Sequence, residues 1–523
     1  QPRGGCNDTD PHWVENAVFF RSDRNGEFNL FAYDTKTRTV QQLTEFKDFP
    51  VISLSTGGGN LVFEQEGRVH AYDLGAAKSS PIKIGVAADL PETRPHFVKG
   101  AKYIRNAAVS PSGARAVFEF RGEIVTVPAQ KGDPRNLTET PGIHERDPAW
   151  SPDGKSIAYF SDAGGEYALY VRSADGKPAW SNKVYKLDGS GFYHEPTWSP
   201  DSQKIAYVDS GLALYVLDLK DGKPKKIAQE PVYGPTGMRS LRPSWSPDSR
   251  WITYTLGSRS AYRTVHVYSL ADSKSRPVTD GLSDASEPVF DASGKYLFFF
   301  ASTDAGPVNQ WFAQSNADMR ARRSLYLAVL RKGVPSPLAR ESDEEKEKEK
   351  ADDKKPGDVK PAPSTEVVID FENLDQRILS IPVPAGNYRN LQVAAAGQIY
   401  YLEAPQSPPR EPDQGGSTLH RYDLTKRKDD VVASRLSTYV ITADAKKALT
   451  LSPPDTWSIV ELASLAPTTP GTPPAAGRGK LNVDAIEVKV DPQAEWKQIF
   501  DEAWRINRDY FYATNYHGAD WPA

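Results

Sequence analysis

Apolar and polar residues alternate through most of this chain with a period of two. "KSIAYFSD" at 155–162 is a clear example and reads as a buried strand. Such runs come round again with the same surroundings. "DPAWSPDGKSIAYFSD" begins at Asp147, "EPTWSPDSQKIAYVDS" at Glu195 and "RPSWSPDSRWITYTLG" at Arg242. Weaker copies begin at Asn106 and Ser286. Ser110, Ser151, Ser199, Ser246 and Asp291 occupy one position of the repeat, at spacings of 41, 48, 47 and 45 residues. Only after Asp491-Pro492 does the period change. Trp496, Ile499, Phe500, Ala503, Trp504, Ile506, Tyr510 and Phe511 then recur mainly three or four apart, which predicts a helix with one apolar stripe. Asp491 is suited to cap it and Pro492 to open its first turn.

A repeat of about 40–50 residues built from short strands predicts four-stranded propeller blades. In each, a "P-x-W" strand leads into a Ser-Pro-Asp turn, where Pro fixes φ and Asp tolerates the corner. Trp150, Trp198 and Trp245 share one slot and are expected to pack sheet on sheet, with Trp13 in the same slot upstream. Seven units fit between Ala101 and about Val490, and two precede them. Nine exceed the usual four to eight blades, so they are divided between two propellers. The expected fold is all-β. Residues 1–80 form the last two blades of a first propeller, 81–490 form a seven-bladed β-propeller, and 491–523 hold the first helix of a further, truncated domain. The charged run at 341–366 is expected to be a disordered insertion within one blade. Residues 404–416 and 466–479 read as Pro/Gly-rich surface loops.

Composition narrows the function less than the repeats do. The net charge of −4 gives no case for nucleic acid or an anionic membrane surface, and no apolar run approaches 18 residues. Cys6 is the single cysteine, so no disulfide within the chain is possible. Gln1 in place of Met is read as the mark of a removed leader or of a piece of a longer chain. The chain has no G-x-S-x-G: "GLSDA" at Gly281 fails at its last position. "HERDP" at His144 and "HEPTW" at His194 lack the second histidine of a zinc helix, and no P-loop or dinucleotide fingerprint occurs. The hairpins "SDRNGEF" and "SDAGGEY" carry Asp and Glu four apart. Turn chemistry is the main reading, with a weak calcium site as the lesser one. No catalytic, cofactor-binding or metal residue is assigned.

Taken in order, the quoted segments resemble the tricorn-type proteases, large serine peptidases with two propellers ahead of their catalytic part. "CNDTDPHW" with "FRSDRNGEFNLFAYD" resembles the end of the family's first propeller, and Arg121 to Val171 the start of its second. "EWKQIFDEAWRINRDYFYATNYHGADW" resembles the entry to the first catalytic subdomain. The resemblance implies that the first propeller is six-bladed, that 491–523 open a truncated catalytic subdomain, that the catalytic histidine and serine lie outside this chain, and that His517 makes a structural or surface polar contact. It implies a substrate-gating propeller for short or unfolded peptides, with Ala107, Ala149, Thr197 and Ser244 on the first strands as geometric candidates for lining the channel. It also implies peptide substrates as partners, no cofactor, a parent that forms homo-oligomers, and a cytoplasmic site, with a periplasmic or secreted one left open by the start at Gln1. A non-catalytic TolB-type propeller serving as a protein-interaction module is the alternative. The terminal helix and the two leading units speak against it.

Overall fold

The computed structural model describes residues 5–176, 182–231, 241–258, 262–302, 322–340, 366–405, 416–465, 479–513 and 515–521. The expected insertion at 341–366, apart from Glu366, and most of the two Pro/Gly-rich loops lie outside the described residues. The chain divides into two compact units, Gln1–Pro91 and Glu92–Ala523.

The smaller unit holds two four-stranded antiparallel sheets. One is made of Asp8–Val14, Ala17–Ser22, Asn29–Asp34 and Val40–Gln42. The other is made of Val51–Gly57, Asn60–Gln65, Arg68–Asp73 and Lys78–Pro81. Phe19, Leu30, Val51, Leu54, Leu61 and Phe63 pack between them. Trp13 departs from its expected role. It is 71% exposed, and its indole N–H donates to Glu15 O, two residues away. Trp198 and Trp245, in the same slot of the larger unit, bond back to the preceding sheet. Among the described residues of this unit no sheet precedes that of Trp13.

The larger unit holds seven sheets in chain order. Their first strands are Ile104–Val109, Glu145–Trp150, Tyr193–Trp198, Ser244–Trp245, Asp284–Phe290, Tyr388–Val393 and Thr438–Ile441. Sheets 1 to 6 have four antiparallel strands in sequential order. Sheet 7 has three, and the segment at 479–481 bonds to its edge through Gly479 O and the Leu481 N–H. Seven apolar clusters lie one at each junction. Ile157 and Tyr159 meet Ile124 and Leu137 at the first, and Phe160 meets Tyr193 and Tyr207 at the second. Val208 meets Trp245 and Tyr254, Val267 meets Phe299, Phe300 meets Tyr401, and Tyr400 meets Tyr439. Phe118 of sheet 1 then meets Trp457 of sheet 7 at 5.2 Å between ring centroids, and the Asp444 N–H donates to Pro111 O. Each sheet therefore packs on the next, and the seventh packs on the first.

The repeated sequence has local causes. Ser151 Oγ donates to Asp153 at 2.6 Å, closing the Ser-Pro-Asp turn, while the Asp153 N–H donates to Ser202 Oγ in the next sheet's turn. Trp198 and Trp245, both buried, donate their indole N–H to Ala149 O and Thr197 O of the preceding first strand. The tryptophan slot thus joins sheet to sheet as expected. Trp150 also packs at the junction of sheets 1 and 2, but its indole N–H donates to Gly154 O in its own turn.

The antiparallel pair His96–Lys99 and Glu487–Val490 ties the two ends of the larger unit together. The chain then enters helix α1, Pro492–Asp509, as anticipated. Asp491 accepts from the N–H groups of Gln493 and Ala494, and Pro492 occupies the first turn.

Candidate functional site: the helix seat and the inner strands

Two ends can be distinguished on the sheets of the larger unit. The Ser-Pro-Asp turns lie at one. The connections between second and third strands, and those leading into each first strand, lie at the other. Helix α1 finds its partners on these sheets at the second end. Arg121 follows the second strand of sheet 1, and Gly142 and His144 lead into sheet 2. Asp162 to Tyr167 form the hairpin of sheet 2, and Gly191 and Phe192 lead into sheet 3.

The face that α1 buries is polar. Arg505 is 4% exposed and donates to Asp162 Oδ2 at 2.5 Å, Glu502 Oε2 at 2.8 Å and Gly165 O. Gln498 donates to the same Asp162 oxygen at 3.1 Å. The Tyr167 hydroxyl donates to Glu502 at 3.0 Å and lies 2.9 Å from His144 Nδ1. Arg508 grips Glu166 through two bonds of 2.7 Å, and Arg121 pairs with Glu495 at 2.7 Å. Gly142 (φ 85°) is needed here, because a Cβ would stand 2.7 Å from Ala494 Cβ. Burial would raise the Glu502 carboxyl, but His144 and Arg505 outweigh it and hold it at about 2. Burial, then the Glu502 charge, pushes the Tyr167 hydroxyl up.

The helix carries the expected apolar stripe, but a different face docks. Its apolar stripe does not face the sheets. Trp496 is 53% exposed, Ile499 57% and Phe500 72%. A second stripe with the same periodicity, Ala494, Gln498, Glu502, Arg505 and Arg508, does the docking. The cause is the surface opposite: strand connections rich in carboxylates, hydroxyls and bare carbonyls match guanidinium groups rather than indoles. Where the helix ends, a groove of about 720 Å³ opens between it and sheet 2, with Tyr167, Tyr170, Tyr193, Arg508, Phe511 and Tyr516 among its walls.

The hairpin "SDAGGEY" is also explained differently. Asp162 and Glu166 accept from α1 residues more than 330 positions away, and Asp162 also accepts the His144 N–H at 2.7 Å. Among the described residues no group of three His, Cys, Asp or Glu could hold a metal ion. His517 has φ 53° and its Nε2 meets the Tyr512 hydroxyl, a local contact in keeping with a structural role. His194 Nδ1 lies 2.9 Å from Arg146 and 3.7 Å from Asp147.

The first strands form a second polar region. Most carry a bulge three residues before the tryptophan slot, where Asp147, Glu195, Glu287 and Asn390 adopt left-handed φ of 53–57°. That geometry sends polar contacts towards the neighbouring first strand. Asn106 donates to Asp147 at 2.6 Å, Glu195 pairs with Arg242 at 3.4 Å, and Glu287 accepts the Leu391 N–H at 2.9 Å. Asn390 donates to Tyr439 O at 3.0 Å. The repeats carried this signal, since the residue in question is polar in every quoted copy. Ala107, Ala149, Thr197 and Ser244 sit on the same strands, half-buried, and two of them lend their carbonyls to indoles as described.

Comparison with known proteins converges on one family. The model of the tricorn protease second β-propeller domain matches residues 104–459. That of the N-terminal β-propeller domain matches 2–78, and that of the C1 domain matches 492–523. Tricorn protease homolog 1 of Streptomyces coelicolor is 24% identical over 98% of this chain and 48% of its own length. The tricorn protease homolog of Saccharolobus solfataricus is 24% identical over 96% and 43%. A crystal structure of the tricorn protease superposes with a TM-score of 0.72 at 18% identity, covering 97% of this chain and 46% of the other. The chain spans about half the length of the curated relatives it matches. Its all-β sheets are tricorn β-propeller domains, and the chain belongs to the tricorn protease family.

Proposed function

We propose that this chain is the substrate-handling region of a tricorn-like serine peptidase. The seven sheets of the larger unit are read as seven blades around a passage. Gln1–Pro91 is read as the closing part of a first propeller, and α1 as the opening element of a catalytic subdomain. Short or unfolded peptides pass between the first strands towards the end that carries α1. Hydrolysis uses a serine nucleophile and a histidine base outside this chain, with self-assembly of the parent protein and a cytoplasmic site of action as part of the same reading.

The observation that carries the proposal is the placement of α1. The segment matching the family's C1 domain, which we read as the opening of the catalytic part, is seated through buried ion pairs on one end of the sheets that match its second propeller. A substrate leaving that end emerges beside the catalytic part.

The test uses the parent protein with Cys6→Ser as background and Thr197→Cys or Ser244→Cys added. A bulky maleimide should reduce cleavage of a short fluorogenic peptide by about tenfold or more, and a methyl thiol reagent should not. Equal cleavage with both labels contradicts a passage at these strands. The absence of peptide cleavage by the unlabelled parent contradicts the peptidase reading itself.

A further inference from the structure

We propose that the buried carboxyl pair Glu123–Glu145 is a proton-operated latch under the seat of α1, closed when the pair holds a proton and loosened when both groups ionise. The proposal does not depend on the peptidase reading.

The geometry starts from one strand connection. Residues 138–145 run from sheet 1 to sheet 2, and both sides of this segment are occupied. On the inner side lie two glutamates. Glu123 is 4% exposed and accepts the Thr138 hydroxyl at 2.6 Å and the Thr140 N–H at 2.9 Å. Glu145 is 2% exposed and accepts the Thr140 hydroxyl at 2.8 Å. Its second oxygen, Oε2, is buried with no hydrogen-bond partner among the described residues. Thr140 therefore bridges the two carboxyls, giving its N–H to one and its hydroxyl to the other. On the outer side the same segment carries α1. Gly142 lies against Ala494, and His144 Nδ1 is 3.7 Å from Glu502. Arg121, one turn before Glu123, holds Glu495.

The surroundings offer the pair little positive charge. Asp162 and the hydroxyls of Tyr159 and Tyr170 face it from sheet 2. Arg172 is buried nearby and interacts with Tyr159, but gives a guanidinium N–H to Leu137 O, and its Nε has no partner. Two ionised glutamates here would repel each other in a dry space, and a half-satisfied carboxylate is costly there. Burial first, then the charge of Glu123, pushes Glu145 up to about 8, and burial raises Glu123 as well. In an opened segment the same carboxyl would titrate near the ordinary value of about 4.3. The sign follows from linkage. The closed seat binds the proton more tightly than the open one. Opening therefore grows with pH between the two values, by at most tenfold per unit, and levels off above about 8.

The test is amide hydrogen exchange of α1 in the full chain from pH 5.5 to 9, corrected for the chemical exchange rate. Opening of α1 should rise by about tenfold or more between pH 6 and pH 8 and then flatten. Glu145→Gln should keep it constant within about twofold. Glu123→Gln removes the repelling charge and should move the flattening to lower pH; it serves if Glu145→Gln does not fold. His144→Gln should leave the rise in place. A rise that persists unchanged in both glutamate variants, or that vanishes only with His144→Gln, overturns the proposal. So does an α1 whose protection does not change with pH in the wild-type chain.

Discussion

Two kinds of joint hold the larger unit together, and they obey different physics. At the junction of sheets 2 and 3, Phe160, Tyr193 and Tyr207 meet in a cluster where Phe160 and Tyr207 are fully buried. At the seat of α1 the buried contacts are Arg505 on Asp162 and Glu502, with the apolar residues of the helix turned outward. Apolar burial is non-directional and involves no charge for pH to titrate or salt to screen. A buried ion pair contributes little net stability when intact and costs several kcal/mol when one partner is lost. The sheet junctions thus keep the architecture, whereas the seat fixes one orientation of the helix and responds to charge.

The comparison can be broken most strongly at the apolar joint. Phe160→Ala should lower global stability by about 3–5 kcal/mol, a loss that does not shrink as sodium chloride is raised, as measured by urea unfolding. Next comes a charged joint inside a sheet. His420, 7% exposed, lies 2.8 Å from Asp429 and 3.2 Å from Glu403. Burial lowers its pKa, but the two carboxylates win and hold it at about 9. Its contribution, on the order of 3 kcal/mol, is complete below the ordinary histidine value of about 6.5 and is lost as pH rises through 9. Thermal melts of His420→Gln should lack that loss. Gly142→Ala adds a methyl against Ala494 at positive φ and should loosen α1 by about 1–3 kcal/mol, seen as faster exchange in the helix alone. The smallest effect belongs to Arg508→Gln. Its partner Glu166 is more than half exposed, so the loss should be under about 1 kcal/mol and should shrink in high salt.

The two joints also differ in how legible they were. The sheet junctions are written locally. A tryptophan three residues after a left-handed polar residue, followed by Ser-Pro-Asp, specifies strand, turn and contact within ten positions. The cap at Asp491-Pro492 is equally local. The seat is not, because Asp162 and Arg505 are 343 residues apart and neither stands in a motif that announces the other. Helix periodicity located the apolar stripe of α1, but nothing in it pointed to the polar stripe as the face that docks on the sheets. Trp13 shows the converse limit, since it stands in the repeat's tryptophan slot yet is exposed and its indole bonds locally.

Arg505→Met gives the most direct test, followed by hydrogen exchange across the whole chain. If α1 is held by a polar seat on an independently packed set of sheets, its amides should lose protection by about a hundredfold or more while those of Ser156–Ser161 and Lys204–Asp209 keep theirs. If the strands open together with the helix, or if α1 stays protected, the helix is not seated by this ion-pair cluster and the account is wrong.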